Sequence, residues 1–181
     1  MPNYSESGLI ITFPSQDYFR VSDCNTWANK LNSFTLSEMD FGWWDSNKNE
    51  LCFLEVKDFT QLAHPLAKKP KSPLSFIDTF VTKATDMLSL LAGVWINSTE
   101  GNNMISELLV TCPNFPRHLC KFKLLFVVKT NDPKAAIWID LINIKIRNQL
   151  KGRVMLFGLN PADDVTLLDH QTAIRQGLPI Q

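Results

Sequence analysis

Between residues 76 and 95, Phe76, Ile77, Phe80, Val81, Ala84, Met87, Leu88, Leu91 and Trp95 recur at the spacing of one helix face. Asp78, Thr82, Lys83, Thr85, Asp86 and Ser89 fill the other face. Ser72 as N-cap and Pro73 at the first helical position mark the start. A helix with so wide an apolar stripe is stable only against another layer, so the remaining chain must supply one.

That layer reads as a sheet. Residues 119–129 are rich in β-formers and fit a largely buried strand, and residues 154–159 fit a last one. Two hairpins are expected upstream. In the first, residues 9–13 and 18–22 flank the polar cluster Pro14-Ser15-Gln16-Asp17; in the second, residues 34–45 and 50–59 flank Ser46-Asn47-Lys48-Asn49. Residues 25–31 fit a short helix with Trp27 and Leu31 on one face, and 97–103 a polar loop leading into a segment without clear period. Asp132-Pro133 opens a second helix over about 134–150. Ile142, Ile144 and Ile146 alternate there as in a strand, but length and the Asp-Pro start favour the helix. The order predicts an α/β (α+β) fold, a mixed β-sheet flanked by helices in one domain over 1–181, with a core of about 34–159 and an N-terminal hairpin over 9–22.

Composition narrows the function classes. Lysine plus arginine and aspartate plus glutamate both number 18, so no global positive charge argues for coating nucleic acid. The N-terminus lacks a basic leader and no apolar run reaches membrane-span length, so a cytoplasmic protein without a membrane partner is expected. The four cysteines form no Cys-x-x-Cys pair, and Cys112, His118 and Cys120 lack a fourth ligand at zinc spacing. None of the three histidines, His64, His118 and His170, has an evident triad partner, and no Gly-rich phosphate loop is present.

The chemistry concentrates in the second hairpin. A four-residue turn at 46–49 pairs Asp45 with Glu50 and, stepping back, Asp40 with Glu55, their Cβ atoms about 5 Å apart on one face. Lys57 projects from that face too, while Leu54 and Val56 point the other way. A one-residue slip would move Asp40 to the wrong face. Facing carboxylates destabilise a hairpin unless water or a cation lies between them, and two of them suit Mg²⁺.

Asp40, followed on the next strand by Glu55-Val56-Lys57 after the apolar lead-in 51–54, resembles the PD-(D/E)XK nuclease superfamily, the restriction-endonuclease-like proteins. The resemblance runs over residues 34–129. It departs where Met39 replaces the name-giving proline and where the opening helix is represented only by 25–31. It implies a Mg²⁺-dependent DNA endonuclease, with Mn²⁺ able to substitute. Asp40 and Glu55 would be the metal ligands and Lys57 the catalytic lysine. A homodimer is expected by analogy, to cut both strands of a duplex. The competing expectation is a non-catalytic binding or scaffold domain in which the three residues form a surface salt-bridge network.

Other residues gain a role only around that site. Lys68, Lys69 and Lys71 form a local basic run that suits phosphate contacts or a solvated loop. Gln61 follows Lys57 by four residues, and Trp44 shares the face of Asp40, where it can stack on a base or pack in a core. Glu38 is a candidate outer acid, and Asp45 and Glu50 read as turn chemistry. Lys145, Arg147, Lys151 and Arg153 read as a surface helix end.

Overall fold

The computed structural model describes residues 3–13, 16–31, 33, 35–60, 76–133 and 135–181. Its order begins with β1 (Asn3–Glu6) and β2 (Leu9–Thr12), an antiparallel pair in which Glu6 faces Leu9. The two-residue turn between them, Ser7 (φ 49°) and Gly8 (φ 71°), has positive φ at both positions, as a twisted hairpin requires. The expected pairing of 9–13 with 18–22 is thereby corrected. The tight Ser7-Gly8 turn gives β2 its partner upstream, and β3 (Tyr18–Phe19) pairs instead with β4 (Phe41–Asp45).

β4 and β5 (Glu50–Asp58) form the second hairpin with the expected register, Asp45 facing Glu50 and Phe41 facing Leu54. Asp45 Oδ1 accepts the N–H groups of Asn47 and Lys48, and Asn49 supplies a positive φ of 55°, so the turn residues fix the register locally. β6 (Phe122–Lys129) and β7 (Val165–Asp169) follow, giving a five-stranded mixed sheet in the order β3-β4-β5-β6-β7. The pairs β3–β4 and β4–β5 are antiparallel, whereas β5–β6 and β6–β7 are parallel. Parallel strands covered on both faces explain the nearly unbroken apolar runs at 51–56 and 124–128.

The helices α1 (Ile77–Trp95), α2 (Thr99–Thr111) and α3 (Ala135–Leu156) cover one face, packing on Leu51, Phe53, Phe122, Leu124, Phe126 and Val128. The other face, with Cys52, Leu54, Val56, Leu125 and Val127, is covered by the β1–β2 hairpin and Ala173 of α5 (His170–Arg175). A short turn of helix, α4 (Pro161–Asp164), leads into β7. Two core clusters on the two faces of one sheet make the α/β layering expected.

Three expectations change. The loop expected at 97–103 becomes helix from Thr99, and α2 runs on to Thr111 through the segment without clear period, because Ser98 caps it by accepting the N–H of Gly101 at 3.0 Å. Residues 154–159 are no strand: α3 runs on to Leu156, and the last strand lies at 165–169. With β3 and β7 in the sheet, the core reaches beyond 34–159 at both ends. The helical turn at 25–31 is present, with Trp27 buried. Ser72 and Pro73 lie outside the described residues. Among the described residues, no helix is long and apolar enough to cross a membrane.

Candidate active site

Glu55 and Lys57 lie at the carboxyl end of β5, where the parallel β5–β6 pair opens toward ligand, the usual binding edge of such sheets. Alternation sends Glu55 to the same face as Phe53, beneath α1, while Leu54 and Val56 are wholly buried on the opposite face. Asp40 sits one residue before β4, where the ladder has ended. There its Oδ2 accepts the N–H of Val56 at 2.8 Å, a side-chain acceptor serving the backbone of the neighbouring strand. The register and this bond together bring Asp40 beside Glu55.

The fourth member comes from α1. Lys83 Nζ lies 2.7 Å from Glu55 Oε2 and 3.2 Å from Asp40 Oδ1, bridging the two carboxylates. Lys57 Nζ approaches the other Glu55 oxygen at 2.8 Å as an ion pair without hydrogen-bond alignment. Glu55 is fully buried, whereas the side chains of Lys83 and Lys57 are 19% and 24% exposed, so the cluster opens to solvent along its lysines. Burial pushes the Glu55 carboxyl up to about 7, and the nearby Asp40 carboxylate adds to this against the pull of Lys83 and Lys57. For Lys83, desolvation acts to lower the pKa, but the two carboxylates outweigh it and hold the ammonium above its ordinary range.

Periodicity had placed Lys83 on the solvent face of its helix. It borders the apolar stripe, three residues after Phe80 and four before Met87, both buried. Its place at that border is all the sequence offers, since the buried acid across from it is set by how α1 packs on the sheet.

The remaining candidates disperse. Trp44 is four residues along the chain from Asp40, about 14 Å at strand rise, and packs half-buried against the helix-side core, the packing alternative expected for it. Gln61, His64, Lys68, Lys69 and Lys71 lie outside the described residues. Glu38 lies in the irregular segment before β4. Asp45 is turn chemistry, but Glu50 is not: it is 5% exposed and pairs with Lys121 at 2.6 Å and Lys123 at 3.4 Å, tying β5 to the start of β6. Lys145, Arg147, Lys151 and Arg153 lie on α3, and Arg147 donates to the carbonyl of Val165.

The cysteines are free thiols, and burial pushes Cys24, Cys52 and Cys112 up to about 12 and Cys120 to about 11, far from a nucleophile's range. Among the described residues, no three His, Cys, Asp or Glu side chains converge on one point. A metal at this site would thus have Asp40 and Glu55 as protein ligands. Two carboxylates with water completing the shell are the donor chemistry Mg²⁺ accepts, so the residues fit. Compared with known protein families, curated proteins and solved structures, the chain matches none.

Proposed function

We propose that this protein is a metal-dependent DNA endonuclease of the PD-(D/E)XK kind, hydrolysing phosphodiester bonds at Asp40, Glu55 and Lys57 with Mg²⁺ or Mn²⁺. The observation that carries the reading is the convergence of two carboxylates from adjacent strands, one of them fully buried, with a partly exposed lysine two residues along the same strand. Burying an acid costs stability that ion pairs only partly offset, and a buried carboxyl with a raised pKa beside a second carboxylate marks a functional candidate.

Each group has a role. Asp40, held through Oδ2 by the Val56 N–H, keeps Oδ1 for a cation. Glu55 offers the second carboxylate of the pair from a fully buried position. When bound, Mg²⁺ polarises a phosphoryl oxygen and acidifies a coordinated water. Lys57, the more exposed ammonium, donates to the transferring phosphoryl group and offsets its developing charge. A cytoplasmic location belongs to the same proposal.

One observation favours the second reading, a non-catalytic binding or scaffold domain. Lys83 and Lys57 already balance the two carboxylates, so the cluster can stand as a salt-bridge network. Incubation of plasmid, single-stranded and branched DNA with Mn²⁺ separates the readings. Cleavage is expected, with loss of at least a hundredfold in rate for Asp40→Ala and for Lys57→Ala. Intact DNA in every case would leave the scaffold reading.

A further inference from the structure

Resting on the metal-site reading, we propose that Lys83 is a tethered counter-ion occupying the cation position between Asp40 and Glu55, so that a divalent metal and the Lys83 ammonium exclude one another. Its Nζ lies within 3.2 Å of Asp40 Oδ1 and within 2.7 Å of Glu55 Oε2. A Mg²⁺ ion bound to both carboxylates would sit about 2.0–2.1 Å from its oxygens, in the space the ammonium fills. Two cations in that space repel strongly in a partly buried setting.

The lysine is built to hold the place and to leave it. Its Cα is anchored in α1, between Phe80 and Met87, whose side chains are buried. Its four-carbon stem is flexible and its head partly exposed, so the ammonium has a route to solvent. Asp86, at helical i,i+3 spacing along α1, accepts the Ser37 N–H through Oδ2 at 2.8 Å, and its carboxylate has further acceptor capacity to receive the ammonium. Lys57, by contrast, pairs with Glu55 on Oε1, the oxygen that Lys83 does not contact.

Mn²⁺ alone, titrated calorimetrically into the whole chain without DNA, tests this. Lys83→Met is expected to bind Mn²⁺ at least tenfold more tightly than the wild type. Without metal it should melt lower than the wild type, and Mn²⁺ should restore it. Lys83→Arg, which keeps the charge, should bind no better than the wild type, and adding Asp40→Asn to Lys83→Met should remove the gain. Should Lys83→Met be unfolded in the absence of metal, refolding by Mn²⁺ seen by circular dichroism supports the inference, and failure to refold overturns it. A folded Lys83→Met with wild-type or weaker affinity overturns it as well. The nuclease reading fails separately: a wild type that binds Mn²⁺ and cuts no DNA sinks that reading and leaves this one.

Discussion

Glu55 lies between two ammonium groups and beside a second carboxylate, fully removed from water. Its raised pKa, about 7 against an ordinary 4.5, means the folded state holds the proton more tightly than the unfolded chain does. Between these values the folded state binds more protons, so stability falls as pH rises. The contribution is fully present below about 4.5 and gone above about 7. Urea melts of the metal-free protein at pH 5 and pH 8 should therefore show a loss on raising the pH. Glu55→Gln should flatten that dependence; an unchanged pH profile in the variant would place the titration elsewhere. The sequence made Asp40, Glu55 and Lys57 legible because a four-residue turn sets the pairing of every residue behind it. Lys83 was not legible, since helical periodicity says which residues border a stripe but not what lies across from them.

At the scale of elements, α1 and α2 meet where a side chain has no room. A Cβ on Gly101 would lie 2.1 Å from the carbonyl oxygen of Gly93, a contact with backbone that cannot swing away. Gly101→Ala should destabilise by about 2–3 kcal/mol, lowering the melting temperature by roughly 5–10 °C. Gly93→Ala meets only the Ser98 hydroxyl, at 3.4 Å, and should be neutral or slightly stabilising. Comparable melting of the two variants would remove the close approach as the reason for glycine. The α2 helix was missed in the sequence although Met104, Ile105, Leu108 and Leu109 recur at helical spacing, because the polar run at 97–103 fills its first turn and reads as loop. The run at 154–159 misled for the opposite reason. A short apolar stretch suits helix and strand alike, and here Met155 and Leu156 are exposed at the end of α3.

For the whole molecule, the sheet's two faces are closed by different means, three long helices on one and the N-terminal hairpin with the C-terminal segment on the other. The C-terminus extends that hairpin through reciprocal bonds between Ile10 and Gln181. Outside, α3 presents Ile137, Leu141 and Ile144 at helical spacing, 74%, 41% and 55% exposed, a stripe that would suit helix pairing in the homodimer expected by analogy. Leu141→Glu should leave the fold intact and convert a dimer to a monomer by light scattering coupled to gel filtration. A wild type already monomeric at high concentration would end the expectation of a homodimer.

Sequence alone settled the layers, the long helix that ends at Trp95, the body of a second helix over about 134–150 though not its end at Leu156, and the β4–β5 register, because each follows from local periodicity or a turn of known length. Tertiary structure decided what those layers bring together. Strand partners such as β1 for β2 and β7 for β6 depend on surfaces far apart in the chain, which local pattern does not encode. The site was settled half by each. The hairpin register set Asp40 beside Glu55, and only the packing of α1 over the sheet put Lys83 between them.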